Sequence, residues 1–518
     1  MYLISTDRVL IVNKETYAII DIGSNTMRLV IYLRDKSGRL KEIENVKAVA
    51  RLRNFLSEEN ILEEKGIEIL INTLLSFQEV TRHHKLNEVK CVATATIRQA
   101  KNQQSILQRV KDETDFSMRV LSEYKEAYFG YLAVVNSTPF TSGVTIDIGG
   151  GSTELTYFED RKLISYYSFP FGALSLKKQF IKQNIPTEVE LHTLRTFLAE
   201  QFSSLEWLVN KKLPIIGIGG SARNMVQIHQ EMISYPLAGV HQYKMNDQEV
   251  KNVNDYLHSL TFSELQRVEG LSKDRADIII PAVEVFKLLM DVVKTDQFAL
   301  SRKGLRDGVF YEELTKDFGI TVFPNVIEES FYELATDYDI DVNHVLNVTN
   351  IGIIIAQLLN KVGLASINKY DMTLIKRGAF TFNLGKYIDS ESSSQHTYYL
   401  LANRTIDGLL HRERIIIALI ASFTSKAAFK RYVAPYINWF SKEELIKYRL
   451  LGAIIKFAYS LNATKRNIIE QIESEEIGEE LHFYFTCNKD WKPEQYQVEK
   501  QKKHLEKQLK KSVILHFG

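Results

Sequence analysis

Two stretches of this chain share one pattern of apolar and polar positions. Tyr17-Ala18-Ile19-Ile20-Asp21-Ile22-Gly23 and Gly143-Val144-Thr145-Ile146-Asp147-Ile148-Gly149 are each an apolar run closing on Asp-Ile-Gly. Each passes through small residues into a second apolar run, Leu29-Val30-Ile31-Tyr32 and Leu155-Thr156-Tyr157-Phe158. Short apolar runs around a glycine-bearing turn predict strand, turn, strand. Between the copies, the spacing predicts a helix over about 61–83, a strand over 89–95 and a helix over about 103–113. A further strand, Leu213 to Ile218, runs into Gly219-Gly220-Ser221, read as a third glycine turn. The pattern predicts an α/β fold of two lobes of related build, 1–135 and 136–318, the second ending with the helix after Ser301–Gly308.

From about residue 320 the pattern changes. Val345, Val348, Ile351, Ile355 and Leu358 recur at helical spacing and strand signals are scarce, so 319–475 is expected to be all-helical. The run His482-Phe483-Tyr484-Phe485-Thr486 predicts a strand, Glu494–Lys511 a helix and Val513–Phe517 another strand. That predicts a small C-terminal α/β domain over 476–518.

Composition narrows the classes. A chain of 518 residues exceeds one core, and 45% hydrophobic with 25% charged residues is ordinary globular usage. With 65 basic against 64 acidic residues the net charge is +1, which gives no reason to expect nucleic acid or a membrane as partner. Cys91 and Cys487 stand far apart, outside any metal-spaced cluster, as expected of a reducing cytoplasm. The opening residues Met1–Arg8 lack a signal-peptide pattern, and Ile351–Leu359 and Ile415–Phe423 are about half a membrane span. A cytoplasmic location is expected.

The repeated turn carries the chemistry. Backbone N–H groups reach a phosphate closely only where glycine or small residues permit it. Gly149-Gly150-Gly151-Ser152 supplies such a turn, Gly23-Ser24-Asn25 a second with hydroxyl and amide donors, and Gly219-Gly220-Ser221 a third. Asp21 and Asp147 at the strand ends would repel a bare phosphate, and so make sense with a divalent cation between.

The set of motifs resembles the exopolyphosphatase/guanosine pentaphosphate phosphatase family of the actin-like ATPase superfamily. Asp21-Ile-Gly-Ser-Asn-Thr-Met-Arg28 is similar to its first phosphate motif and Asp147-Ile-Gly-Gly-Gly-Ser-Thr-Glu154 to its second. Ala93 to Asn102, Leu121 to Ala127, Gly217 to Asn224 and Ser301 to Gly308 resemble four further segments in the family's order. The resemblance implies two actin-like (ribonuclease H-like) lobes, an all-helical HD-like domain and the small α/β domain. It implies Glu126 as general base toward water and Arg98, placed at a helix start, as clamp on the terminal phosphate. Asp147 and Glu154 are implied as carboxylates on the side of a Mg²⁺ ion. Residue by residue, simpler readings stand beside these. Glu126 suits a helix first turn through the dipole alone, Glu154 suits a structural strand position, and Arg28 suits a contact between lobes. His83-His84 has no ligand partner nearby in sequence.

Departures from the family pattern are specific. Glu123 and Lys125 replace the usual glycine and first glutamate before Glu126, and Ser221 replaces threonine. In the helical domain His344 falls near an HD-type histidine, but Phe382-Asn383 stands where the His-Asp pair would be. That domain is expected to lack a metal and to guide a polyanion. From Lys489 to Lys511 eight lysines face four acidic residues, a composition suited to a phosphate chain and equally to a solvated helix face. The resemblance implies a homodimeric, Mg²⁺-dependent exopolyphosphatase acting on inorganic polyphosphate. The alternatives are guanosine pentaphosphate (pppGpp) 5′-phosphohydrolase activity, or a nucleotide-sensing actin-like scaffold without hydrolysis.

Overall fold

The structure, a computed structural model, describes residues 15–34, 40–84, 86, 88–316 and 318–518, so the expectation about Met1–Arg8 lies outside it. Residues up to 235 together with 240–329 form one unit, and 330–518 with 236–239 a second.

The first unit is built twice over. Its first sheet contains β1 (Glu15–Ile22), β2 (Thr26–Arg34), β3 (Leu40–Val49), β4 (Glu88–Ala93) and β5 (Met118–Val120), in the order β3-β2-β1-β4-β5. Helices α1 (Glu64–His84), α2 (Ala95–Gln99) and α3 (Gln103–Glu113) make its connections, and α4 (Glu123–Val135) leaves it. Strand β1 is buried on both faces: Ala18, Ile20 and Ile22 enter one core and Ile19 another. That two-sided burial is why the run reads as continuously apolar rather than alternating.

The second sheet contains β6 (Gly143–Ile148), β7 (Thr153–Glu159), β8 (Lys162–Phe169), β9 (Ile215–Ile218), β10 (Lys244–Met245) and β11 (Phe298–Leu300). Read from its edge it runs β8-β7-β6-β9-β11, the order of the first sheet repeated, with β10 added antiparallel beyond β11. Helices α5 (Ala173–Phe180), α6 (Glu188–Ser203), α7 (Gly219–Met232), α8 (Asp247–His258), α9 (Phe262–Leu265) and α10 (Ile279–Val293) cover it, and α11 (Leu305–Lys316) leaves it. The third strand of each meander was not marked by the apolar pattern. Most of β3 is exposed and β8 alternates, so neither shows the buried run that reveals β1 and β6.

The helices that leave the two sheets, α4 and α11, pack on each other. Phe129 and Val309 join Ile19, Val30 and Val92 against the first sheet. Tyr131, Leu132, Val134 and Val135 join Tyr311 and Leu314 against Ile216, Ile218 and Phe158 of the second. The expected boundary at 135/136 therefore follows a helix that belongs to both lobes. The helices approach so closely that a Cβ on Gly308 would lie 2.0 Å from the carbonyl oxygen of Phe129.

In the second unit helices follow one another: α12 (Val326–Asp337, entering from the first unit), α13 (Val342–Lys361), α14 (Lys369–Phe380), α15 (Ser393–Asn403), α16 (His411–Ala421), α17 (Lys426–Val433) and α18 (Lys442–Leu461). By length and composition α13 qualifies to cross a membrane, but half of its most apolar window is buried, and it packs on α14 and α18. Its apolar character is that of a bundle's core helix. His344 is buried, with Nδ1 3.2 Å from Asn462 Nδ2 and its ring against Tyr459, on which Phe382 also packs. Burial holds this imidazole below its usual pKa.

The chain ends in β12 (Ile469–Ile477), β13 (Glu480–Cys487), α19 (Lys492–Gln501), α20 (Lys503–Leu509) and β14 (Ser512–Phe517), with sheet order β12-β13-β14. The expected boundary at 476 falls inside β12, whose acidic, mostly exposed sequence hid it. The single helix expected over 494–511 is two helices, the second ending where Lys510 turns left-handed at φ 58°.

Gly308→Ala should lower the urea unfolding midpoint by an amount equivalent to about 3 kcal/mol, because backbone on backbone has no rotamer with which to relax. An unchanged midpoint would mean that α4 and α11 do not pack at this distance.

Candidate active site

The two strand-turn-strand copies close in the same way. The Gly23 N–H donates to Thr26 O at 3.0 Å, and the Gly149 N–H to Ser152 O at 2.9 Å. Register then places Asp21 opposite Arg28 and Asp147 opposite Glu154. The hairpins face one another: the position a Cβ would take on Gly150 is 3.1 Å from Ser24 Cβ. Between them lies a cavity of about 210 Å³.

Most of the residues expected from the sequence line this cavity. Asp21, Gly23, Ser24 and Asn25 come from the first hairpin, Asp147, Gly149, Gly150, Ser152 and Glu154 from the second, and Glu126 from the first turn of α4. Gly219 and Gly220 also line it, but not as a loop. They open α7, whose first N–H groups and positive dipole end are thereby presented to the cavity. Gly219 has φ +84°, and a Cβ there would strike Asp147 Oδ1 at 2.5 Å, so glycine is required on both counts.

Three expected residues stand behind the wall. Gly151 packs toward Ser24 Oγ and Arg53. Ser221 is buried and accepts from Arg275 Nη1 at 3.3 Å. Arg98 lies in the last turn of the five-residue α2, not at a helix start. Its Nη1 donates to Glu126 Oε2 at 2.6 Å and to Leu121 O at 3.1 Å. The residue expected to clamp phosphate holds the Glu126 carboxylate in this structure. His83 and His84 pack edge to face outside this cavity, and Arg28 lines it.

The sequence reading missed most of the cations. Lys47, Arg223, Arg275, Arg302 and Arg306 line the cavity with Arg28. Arg223, Arg302 and Arg306 lie inside the quoted segments, where their charge was available as a signal. Lys47 in β3 and Arg275 in the 3₁₀ turn Lys273–Arg275 carried none.

Charge is crowded here in both signs. Burial, then the charge of Asp21, pushes Asp147 up to about 6. Burial, reinforced by Glu126, raises Glu154, whose Oε1 accepts from Ser168 Oγ at 3.0 Å. Burial lifts Glu126 to about 7 despite Arg98 beside it. Burial also raises Asp21, opposed by Arg306, whose Nη1 is 3.3 Å from Asp21 Oδ2. Conversely, burial and then Arg28, Arg302, Arg306 and Arg275 lower Arg223 to about 10. Such a surplus of buried cations suits a polyanion, which would relieve their repulsion.

Asn25 is 6% exposed, and both its Oδ1 and Nδ2 lack a hydrogen-bond partner at the cavity wall, as is fitting for groups that pair with a bound oxyanion and its counter-ion. Among the described residues no three His, Cys, Asp or Glu side chains form a metal cage. Magnesium, however, is commonly held by one or two carboxylates plus substrate phosphates and waters, and Asp147 with Glu154 fits that donor set.

Two lobes of one build, closed over opposed glycine hairpins and a cation-rich cavity, define an actin-like, phosphate-handling fold. The model of the Ppx/GppA phosphatase family matches residues 30–317, and that of Ppx/GppA phosphatase domain III matches 326–511. The chain belongs to the Ppx/GppA phosphatase family. It is 26% identical over 312 residues to a putative exopolyphosphatase of Haemophilus influenzae, covering 60% of this chain and 94% of that protein. It is 24% identical over 425 residues to the guanosine-5′-triphosphate,3′-diphosphate pyrophosphatase of Vibrio vulnificus, covering 79% and 80%. The crystal structure of the Aquifex aeolicus family member aligns with TM-score 0.52 at 29% identity, over 59% of this chain and 99% of that one. An exopolyphosphatase from Cytophaga hutchinsonii, at 21% identity and TM-score 0.55, covers 58% of this chain and 98% of its own, and shares the fold.

A carboxyl whose folded pKa is raised contributes stability that is present below its unfolded pKa and lost as pH rises through the folded value. In divalent-free buffer Asp147→Asn should therefore melt above the unsubstituted protein, with the gap widening as pH rises from the ordinary carboxylate range through about 6. Melting curves across pH measure it; a gap that narrows with rising pH would refute the electrostatic reading.

Proposed function

We propose that this phosphatase is an exopolyphosphatase, releasing orthophosphate from the end of inorganic polyphosphate. The observation that carries the reading is the make-up of the cavity wall. It bears six cationic side chains and, among the described residues, no Phe, Tyr or Trp on which a base would stack. A linear phosphate chain asks for repeated positive charge and nothing else. The Haemophilus relative named as a putative exopolyphosphatase supports the same reading. Hydrolysis of pppGpp is the second reading, favoured by the Vibrio pyrophosphatase that matches over 79% of the chain.

The chemistry follows from the side chains. The terminal phosphoryl group rests against the N–H groups of the two hairpins and of the α7 start. Asn25 and Ser24 donate to it. Glu126, oriented by Arg98, accepts a proton from water as the new P–O bond forms. The bond to the bridging oxygen breaks, and the shortened chain leaves as an anion whose charge Arg223, Arg275 and their neighbours meet. Phosphoanhydride hydrolysis has a loose transition state, so placing the water and neutralising charge supply most of the rate. A Mg²⁺ ion held by Asp147 and Glu154 would add charge neutralisation on the phosphate oxygens.

Purified protein with Mg²⁺ should release phosphate from long-chain polyphosphate faster than from pppGpp or ATP. Glu126→Gln should lower kcat at least about a thousandfold while changing KM little. Since the base must be ionised and Glu126 is lifted to about 7, kcat/KM should fall as pH drops through that value. Undiminished release by Glu126→Gln would remove it as the base. Faster turnover of pppGpp would establish the second reading, and no release from any substrate would favour a scaffold.

A further inference from the structure

Opposite charges cross from one lobe to the other beside the cavity, on a segment of which the chemistry above uses only Arg275. In the second lobe, residues 270–278 hold Arg275 between Asp274 and Asp277. The Arg275 guanidinium lies against Gly220, where an added Cβ would be 2.3 Å from its Nη2, and its Nη1 donates to Ser221 Oγ at 3.3 Å. One end of the segment is tied to α7, since Asn224 Nδ2 donates to Gly270 O at 3.1 Å and to Ser272 Oγ at 3.3 Å. Its outer side meets the first lobe. Lys47 Nζ is 3.2 Å from Asp274 Oδ2, Arg51 Nη1 is 3.6 Å from Asp277 Oδ2, and Arg51 Nη2 donates to Asp274 O at 3.0 Å.

Arg51 is unusual in its backbone as well. It sits in the left-handed region at φ 47°, uncommon for a residue with a side chain and strained unless the surroundings hold it there. In that conformation its N–H donates to Asn25 O at 2.9 Å, beside the Ala50 N–H at 3.1 Å. Arg51 therefore braces the hairpin that carries Asn25 while its side chain grips the segment that carries Arg275. Lys177 Nζ, 3.2 Å from Asp277 Oδ2, completes the set from within the second lobe.

We propose that Lys47, Arg51, Asp274 and Asp277 form an electrostatic clasp between the lobes, and that Asp274 and Asp277 are positioning residues that set Arg275 for the phosphate chain. The clasp carries charge from the first lobe into the placement of a cation in the second. Closing the lobes and presenting Arg275 are then one event. Its pairs are one-sixth to one-third exposed, so salt weakens it.

The test exploits a sign. Neutralising two acids beside an anion site should tighten anion binding if only long-range charge mattered. The clasp predicts the reverse: Asp274→Asn with Asp277→Asn should raise KM for polyphosphate about fivefold, with a smaller fall in kcat because Arg275 also meets the leaving anion. Without any substrate, amide hydrogen exchange should quicken in 47–53 and 270–278, as it should in the unsubstituted protein when salt rises from about 0.05 to about 0.5 M. Arg51→Glu should behave like the double variant, and adding Asp277→Arg should restore KM in part. An unchanged or lowered KM, unchanged exchange, or no rescue by the reversed pair would overturn the clasp. The KM readout rests on the polyphosphate reading, whereas the exchange readout does not. A protein that releases no phosphate thus defeats that reading while leaving the clasp to be decided by exchange.

Discussion

Burying like charges together is the constraint on which the rest of the first unit depends. Asp21, Asp147, Glu126 and Glu154 share one cavity; burial raises each of them, and repulsion from neighbouring carboxylates adds to it for Asp147, Glu126 and Glu154. Arg28, Arg223 and Arg275 are likewise held below their ordinary values by burial, the first two also by neighbouring arginines. A fold that only had to be stable would scatter these groups over its surface. In the proposed reading the carboxylates suit a divalent cation and the arginines a phosphate chain, so each set would be relieved by a different part of one substrate complex. The protein gives up stability at the place where it binds.

Duplication is how one chain builds such a place. The same strand order occurs twice, so two aspartates arrive at equivalent strand ends and two glycine hairpins face each other. The helices that leave the sheets then differ in what they bring. The start of α4 delivers Glu126, held by Arg98, whereas the start of α11 delivers Arg306 to Asp21. Close packing of α4 on α11 at Gly308 joins the two copies in one unit, and the Lys47 and Arg51 contacts join them again beside the cavity.

The sequence showed those parts that impose a local rule. Asp-Ile-Gly after an apolar run is such a rule, and it located both hairpins, both aspartates and the strands beneath them. Burial on both faces made β1 and β6 visible, whereas exposed β3 and acidic β12 carry no period that separates them from loops. Arg98 was legible as a cation of the site but its pairing with Glu126 was not, because which carboxylate a guanidinium meets depends on what folds against it. Glu126 follows Arg98 by 28 positions, and only the tertiary fold brings them to 2.6 Å. Lys47 and Arg275 were out of reach for the same reason. Each lies in an ordinary polar stretch and becomes significant only where the lobes meet.

In the proposed reading one cavity holds the terminal phosphoryl group between the hairpins, with Glu126 at its water and the arginines along the chain. A crystal structure with Mg²⁺ and a hydrolysis-resistant imido analogue of tripolyphosphate tests this most directly. The terminal group is expected between Ser24 and Gly150 and against the start of α7, with a water bridging it to Glu126 and the next phosphates against Arg223 and Arg275. A chain bound in the reverse sense, or outside the cavity with Glu126 beyond reach of its terminal phosphorus, would contradict it.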